Sequence, residues 1–302
     1  MYPRSITTRL PRLCIPLAIV LWLGAPNLAM ARETITWLLR DVVPLTISYG
    51  PAKGQGAIDR TLPLLQAALP EYDHIVLRVN RARALQMLEE PGLNCDPTLL
   101  WTAERARNIL YSVPSMNTSS NGLIVRRQDQ ALIAPFISAG EVDLRALLDS
   151  GVTQVGKVAE RSYGVVIDEI LSQKPSQLLH HHGNDAVGSL LRMENLGRIR
   201  AMLGYLPEAR YHALEQGIDP EQLRYLPIKG VARYQYIYVG CSNSLASQQV
   251  LGKINVALRA LREGTLVDFY AAWLDPTTRQ QYLQDAPGFF DGPSAPTVTR
   301  RY

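Results

Sequence analysis

The sequence predicts an α/β protein of two successive units, each a mainly parallel sheet flanked by helices. Three observations predict it. From residue 34 to 127, strand-like and helix-like segments alternate, and such alternation builds parallel sheets because a crossover helix must join parallel neighbours. A second alternating series runs to Lys229, about a hundred residues, an ordinary domain length. From Arg233 the chain changes character, with a tyrosine-rich strand followed by a long amphipathic helix.

The first unit opens with Thr34–Arg40 as a strand, then a turn region holding Pro44, Gly50, Pro51, Gly54 and Gly56. Ile58, Leu62, Leu65 and Leu69 recur at helical spacing, and Pro70 stops that helix. Asp73–Val79 alternates as a strand, and Asn80 is a good N-cap for a helix carrying Leu85 and Leu88. Leu93–Leu100 reads as a third strand, Thr102 caps a short helix, and Gly122–Arg127 is a fourth strand. In the second unit, Ser138–Leu148 reads as helix and Val152–Val158 as strand. Ser162 is placed to cap a helix to about Gln173, and Asn184–Glu194 is helical. Arg198–Gly204 is a strand, Pro207 and Gly217 bracket a helix, and Leu223–Lys229 is a strand. Tyr234, Tyr236 and Tyr238 alternate along Arg233–Cys241, and Leu251, Ile254, Leu258 and Leu261 mark the long helix. A further helix carries Phe269, Ala272 and Trp273. Residues 286–302, rich in Pro, Gly and Thr, read as a flexible tail.

The 302 residues carry a formal charge of +4, with 47% hydrophobic and 19% charged residues, which excludes disorder. The charge sits largely in the first 31 residues. Arg4, Arg9 and Arg12 precede the apolar run Leu13–Leu23, and Ala29-Met30-Ala31 offers a small-x-small cleavage pattern after Ala31. Residues 1–31 therefore read as an export signal, whose 11-residue apolar run is too short for a bilayer span of about 20. Without it the charge falls from +4 to +1, no block of like charge remains, and nucleic-acid binding loses its support.

Cys14 leaves with the signal, so Cys95 and Cys241 remain as an even pair in an exported chain, a disulfide or two buried thiols. His180-His181-His182 cannot all point one way, lies in a polar stretch before Gly183, and reads as a solvated loop with no metal site. No cofactor is expected. There is no Gly-x-Ser-x-Gly, His-Glu-x-x-His or phosphate-binding loop, so no catalytic residue is assigned.

Several motifs in order resemble bacterial extracellular solute-binding proteins of family 3. They are Asp41-x-x-Pro44, Gly54-Gln-Gly56-x-x-Asp59, Thr102-x-x-Arg105 and Tyr111-Ser112-x-Pro114. Gly156-Lys157, Arg161-Ser162-Tyr163, Gly197-Arg198-Ile199 and the late Cys241-Ser242 strand continue the series. The resemblance implies the two-lobed type II periplasmic-binding-protein fold. Lobe one would hold residues 32–127 and 232–285, and lobe two 128–231, with hinge crossings near Arg126-Arg127 and Arg233-Tyr234. It also implies that the returning strand lies beside the third strand, pairing Cys95 with Cys241.

By the same resemblance the ligand sits between the lobes, and Arg105 matches the arginine that grips its carboxylate through a planar two-pronged contact. Ser162 matches a lobe-two hydroxyl facing the same anion, and an N-cap role is compatible with that. Arg161 and Tyr163 flank it, facing the cleft or solvent. Asp41 follows the first strand, as a cleft residue or a turn aspartate. An N-cap and a surface charge account for Asn80 and Arg83. Trp37 and Trp101 offer stacking surfaces or core packing. Two positions depart from amino-acid binders: Leu100 stands where Ser or Thr is usual, and Tyr205 where an aspartate holds the ligand ammonium. Glu208 is a candidate substitute for that aspartate. The departures favour another carboxylate or an aromatic ligand. The function implied is a monomeric periplasmic binding protein that delivers a small molecule to a membrane permease. A sensor-receptor partner and an exported dehydratase-like enzyme, with Asp41 or Glu208 as acid or base, are the alternatives.

Overall fold

The computed structural model describes residues 32–183 and 185–291; the expected export signal with Cys14 and tail residues 292–302 lie outside them. The chain begins with β1 (Thr34–Leu39), α1 (Ala57–Ala67), β2 (Asp73–Arg78), α2 (Arg81–Glu89) and β3 (Asn94–Leu99). Strands β4 (Ile109–Tyr111), β5 (Met116–Ser119) and β6 (Gly122–Arg126) follow. Next come α3 (Gln130–Ile133), the hairpin β7 (Ile137–Ser138) and β8 (Glu141–Val142), α4 (Leu144–Ser150) and β9 (Val155–Val158). Then come α5 (Val165–Ser172), β10 (Leu178–His181), α6 (Ala186–Asn195), β11 (Ala201–Gly204), α7 (Leu206–Glu215) and β12 (Leu223–Leu226). The chain closes with β13 (Tyr234–Ser242), α8 (Leu245–Leu261), α9 (Thr265–Ala271) and α10 (Pro276–Asp285).

Two sheets result. The first has the order β2-β1-β3-β13-β4, with β5 also on β13; the second has the order β10-β9-β11-β6-β12. The strands joined by helices pair in parallel, while β13 and β6 enter the two sheets antiparallel to their neighbours. Burial on both faces explains the near-continuous apolar runs. Along β1, Trp37 and Leu39 pack toward α1, α8 and α9, while Leu38 packs with Leu88 of α2. Along β6, Leu123 and Val125 face α4 and α5, and Ile124 faces α6 and α7. The period-two alternation of a strand delivers each residue to its own layer.

Gly56 shows why a glycine precedes α1. A Cβ there would stand 2.4 Å from the Leu45 carbonyl oxygen. The same turn is closed by Asp59, whose carboxylate accepts from the Gly56 and Ile47 amides at 3.2 and 2.7 Å.

Several expectations are corrected. Strand β6 belongs to the second sheet, so the first crossing lies at Ser120-Asn121 and not at Arg126-Arg127. Arg126 is instead anchored in the second lobe by Asp129 at 2.5 Å and the Asn195 carbonyl at 2.8 Å. The second crossing is close to the expected place, and the two crossings are tied by the Ser120 amide donating to the Arg233 carbonyl at 2.9 Å. Residues 138–142 form a hairpin turning at Ala139-Gly140, both at positive φ, before the helix expected there. The histidine run is not all loop: His180 and His181 lie in Leu178–His181, which pairs with β9 as the sheet's edge strand, and His182 follows it. Residues 286–291 are not a free tail, because Phe289 is buried in the first core and its carbonyl accepts from the Tyr236 hydroxyl at 2.6 Å.

One buried acid gives a pH prediction. Glu194 on α6 is fully buried, and burial pushes its carboxyl well above the ordinary value, against a smaller opposing effect of Arg126. The fold therefore holds this proton more tightly than the unfolded chain, where the group ionises near its ordinary value of about 4.5. Folding then holds the extra proton, so this group's contribution falls as pH rises from there. Glu194→Gln should raise the melting temperature at pH 7 and flatten the decline between pH 5 and 7. An unchanged slope in thermal melts would assign the decline to other groups.

Candidate functional site

The lobes meet in a cleft of two hollows. The larger, about 510 Å³, is bounded by the end of β1 and the start of α2 on one side. On the other side lie the end of β9, the β10–α6 turn and the first turns of α7. The smaller, about 360 Å³, lies between Thr102-Arg105 and Lys157-Ser162. Both share Glu160 and Arg161. The ends of parallel strands and the starts of the following helices gather here because each crossover returns the chain to the same edge.

Arg105 sits between the lobes. Its amide donates to Thr102 Oγ1 at 3.1 Å, fixing the start of a short 3₁₀ turn over Arg105–Arg107. Its guanidinium donates to the Leu100 carbonyl at 3.4 Å within the first lobe and to the Glu160 carbonyl at 3.2 Å in the second. The residue that displaces the usual Ser or Thr thus contributes only its backbone. Glu160 holds a positive φ of 58°, an uncommon conformation for a non-glycine residue. Burial and the nearby Arg40 lower the Arg105 guanidinium from its ordinary pKa, with Tyr111 and Asp96 opposing.

Arg161 and Glu208 form a buried two-pronged pair at 2.6 and 2.7 Å. Burial alone would lower the arginine, but the Glu208 charge and hydrogen bonds hold it well above its ordinary value. Glu208 therefore does not replace the missing aspartate as a free ammonium partner. Tyr205, at that aspartate's position, accepts from Gln235 Nε2 at 2.5 Å beside the hinge, with the Arg161 guanidinium 5.8 Å from its ring.

The remaining expected residues divide. Asp41 lines the larger hollow, and its carboxylate accepts from the Ser48 amide at 3.1 Å. Ser162 lines the smaller hollow, but its hydroxyl donates to Asp168 at 2.5 Å and it does not cap the following helix, which starts after Gly164. Tyr163 is buried in the second core, where its hydroxyl accepts from the Val158 amide at 2.7 Å. Trp37 is likewise fully buried and donates to His74 at 3.1 Å. Trp101 is half-buried and lines neither hollow. For Trp37 and Tyr163 the tight packing of β1 and of the β9–α5 turn wins over cleft exposure. Asn80 caps α2 by accepting from the Arg83 amide at 2.8 Å, and Arg83 pairs with Glu90 on the surface.

Four cleft residues carried no decisive signal in the sequence. Arg40, one residue beyond β1, is buried and tied to Asp96 at 2.6 Å and to Thr98. Arg81, the first residue of α2, lines the larger hollow. His182 and His212 line its far side, and His212 lies near Asp185 and Glu215. Periodicity is carried by their apolar neighbours, and a strand-end arginine looks like any surface charge until its sheet is assembled. Among the described residues no cluster of His, Cys, Asp or Glu is arranged to hold a metal ion, and no helix is long and apolar enough to cross a membrane.

Cys95 and Cys241 are register partners on β3 and β13 and are joined by a disulfide, as the resemblance implied.

No protein-family model matches the sequence, and no curated protein is significantly similar to it. Solved structures do match. A histidine kinase sensor domain similar to periplasmic binding proteins is 16% identical with a TM-score of 0.61, over 80% of this chain and 96% of that one. A structure from glutathione import by the cystine importer system of Streptococcus mutans is 15% identical with a TM-score of 0.62. That match spans 82% of this chain and 99% of the other. A Streptococcus pneumoniae amino acid transporter substrate-binding protein bound to L-arginine is 16% identical, TM-score 0.57, over 85% and 94% of the two chains. Two α/β sheets joined by two crossings, with a cleft between them and these neighbours, give this chain the two-lobed periplasmic-binding-protein fold of the solute-binding proteins it was expected to resemble.

Proposed function

We propose that this chain is a periplasmic solute-binding protein that closes its lobes on a small carboxylate-bearing ligand and delivers it to a membrane transporter. It is exported by residues 1–31 and works as a monomer. The observation that carries the reading is Arg105, a cation on one lobe whose guanidinium reaches the backbone of the other at Glu160, a residue that lines both hollows. A ligand carboxylate held there would join the lobes through charge-assisted hydrogen bonds. Support for an aromatic ligand is weaker, since Trp37 is buried and Trp101 lies off the cleft. A non-catalytic role is favoured because the two candidate acid–base groups are occupied, Glu208 by Arg161 and Asp41 by a backbone amide.

A sensing role is the second reading, supported by neighbours that include a histidine kinase sensor domain and the BvgS VFT2 domain of Bordetella pertussis. Ligand-dependent binding to a permease in membranes favours delivery; ligand-dependent control of a kinase or cyclase favours sensing.

A thermal-shift screen against carboxylates, amino acids, polyamines and aromatic acids tests the reading, because a ligand of the native state raises its melting temperature. Arg105→Ala should weaken the ligand by about 3 kcal/mol, roughly 100-fold in Kd. Equal affinity in that variant would remove Arg105 from the site, and turnover of any hit would make the protein an enzyme.

A further inference from the structure

We propose that the cleft takes a small dianion, with Arg81 on the wall of the larger hollow as a second anion-binding point in addition to Arg105 at the smaller one. The inference rests on the reading above and names its ligand class. Arg81 begins α2 at the wall of the larger hollow. Its side chain is half-buried, and among the described residues its guanidinium makes no hydrogen bond or ion pair. Burial, then Arg40, Arg161 and Arg105, push it well below its ordinary pKa, with Glu208 acting the other way.

The local charges do not balance. Arg40 is neutralised by Asp96 and Arg161 by Glu208, each through short hydrogen bonds in a buried setting. Arg81 and Arg105 are left as two cations without a carboxylate partner. Two uncompensated cations on adjoining hollows of one cleft, partly out of water, are unfavourable, and a ligand with two negative charges would remove that cost. A zwitterionic amino acid would not. Its carboxylate meets one guanidinium, while its ammonium enters a region of excess positive charge. There Tyr205 replaces the usual aspartate and Glu208 is bound on both oxygens. Asp41, on the first-lobe wall of the larger hollow, accepts from the Ser48 amide.

The experiment uses the exported protein in calorimetry and thermal melts at constant ionic strength. The probes are succinate, inorganic phosphate, sulfate, acetate and alanine. Succinate or the inorganic dianions should raise the melting temperature more than acetate or alanine; the choice between a dicarboxylate and an inorganic anion is read from which binds tighter. Arg81→Gln should weaken the dianion about 30-fold or more, leave acetate nearly unchanged, and raise the melting temperature of the ligand-free protein. Arg81→Lys should retain part of the dianion affinity. Tighter binding of alanine than of any dianion, or equal dianion affinity in Arg81→Gln, would overturn the proposal. Acetate binding that depends on Arg105 without any preference for dianions would overturn this inference alone. If no anion binds and Arg105→Ala changes no melt, the carboxylate-binding reading fails with it.

Discussion

Replacing both Cys95 and Cys241 by alanine should lower the melting temperature by about 10 °C, as read by calorimetry. The two residues are 146 apart in sequence, and a cross-link closing so long a loop removes much of the entropy of the unfolded chain. The chain-entropy account gives roughly 5 kcal/mol, and measured losses run about 2–5 kcal/mol. For a protein of this size each kcal/mol is worth about 2–4 °C. Both sulfurs lie in the first core, so alanine also leaves a small cavity that adds to the loss. A change under about 2 °C would mean the bridge is absent in the folded protein. Peptide mapping without reduction decides that point independently, since two free thiols would exclude the bond.

Glu208→Gln should be nearly as costly, about 3–5 kcal/mol, because it leaves the buried Arg161 cation without its counter-charge. The double change Arg161→Met with Glu208→Leu should recover much of that loss, since apolar residues of similar size need no partner. The pair also ties the segment after β9 to the start of α7, the segment whose Glu160 carbonyl receives Arg105. Glu208→Gln should therefore also weaken ligand binding, whereas a variant with normal affinity would limit the pair to stability. If the double change melts no higher than the single one, the loss comes from packing and the charge account is wrong.

Both large effects concern residues visible in the sequence whose partners were visible to different degrees. Export context and an even count left two states open for the cysteines, and only the resemblance placed their strands side by side. Glu208 stood out as a carboxylate near the missing ammonium partner, and the structure gives it to Arg161. The order of strands and helices was legible because apolar periodicity records local geometry. The position of β6 was not, because a strand buried on both faces reads the same in either sheet. The tryptophans illustrate the same limit. An indole beside apolar neighbours fits a core or a cleft wall, and Trp37 went to the core because β1 is an interior strand covered on both faces. Arg81 carries no such signal, because an arginine at its place fits any ordinary helix start.

By itself the sequence determined the α/β class, the two-unit division and the near-neutral character of the chain behind its first 31 residues, and a family resemblance singled out Arg105 as a candidate. Those follow from local periodicity, composition and the order of short motifs, all of which survive without knowledge of distant contacts. Only the tertiary structure decided which charges remain unpaired. Arg40 and Arg161 are neutralised by acids 56 and 47 positions away, while Arg81 and Arg105 are not. Electrostatic partnership depends on distance in space, and the crossovers that set those distances leave no mark on the spacing of charges along the chain.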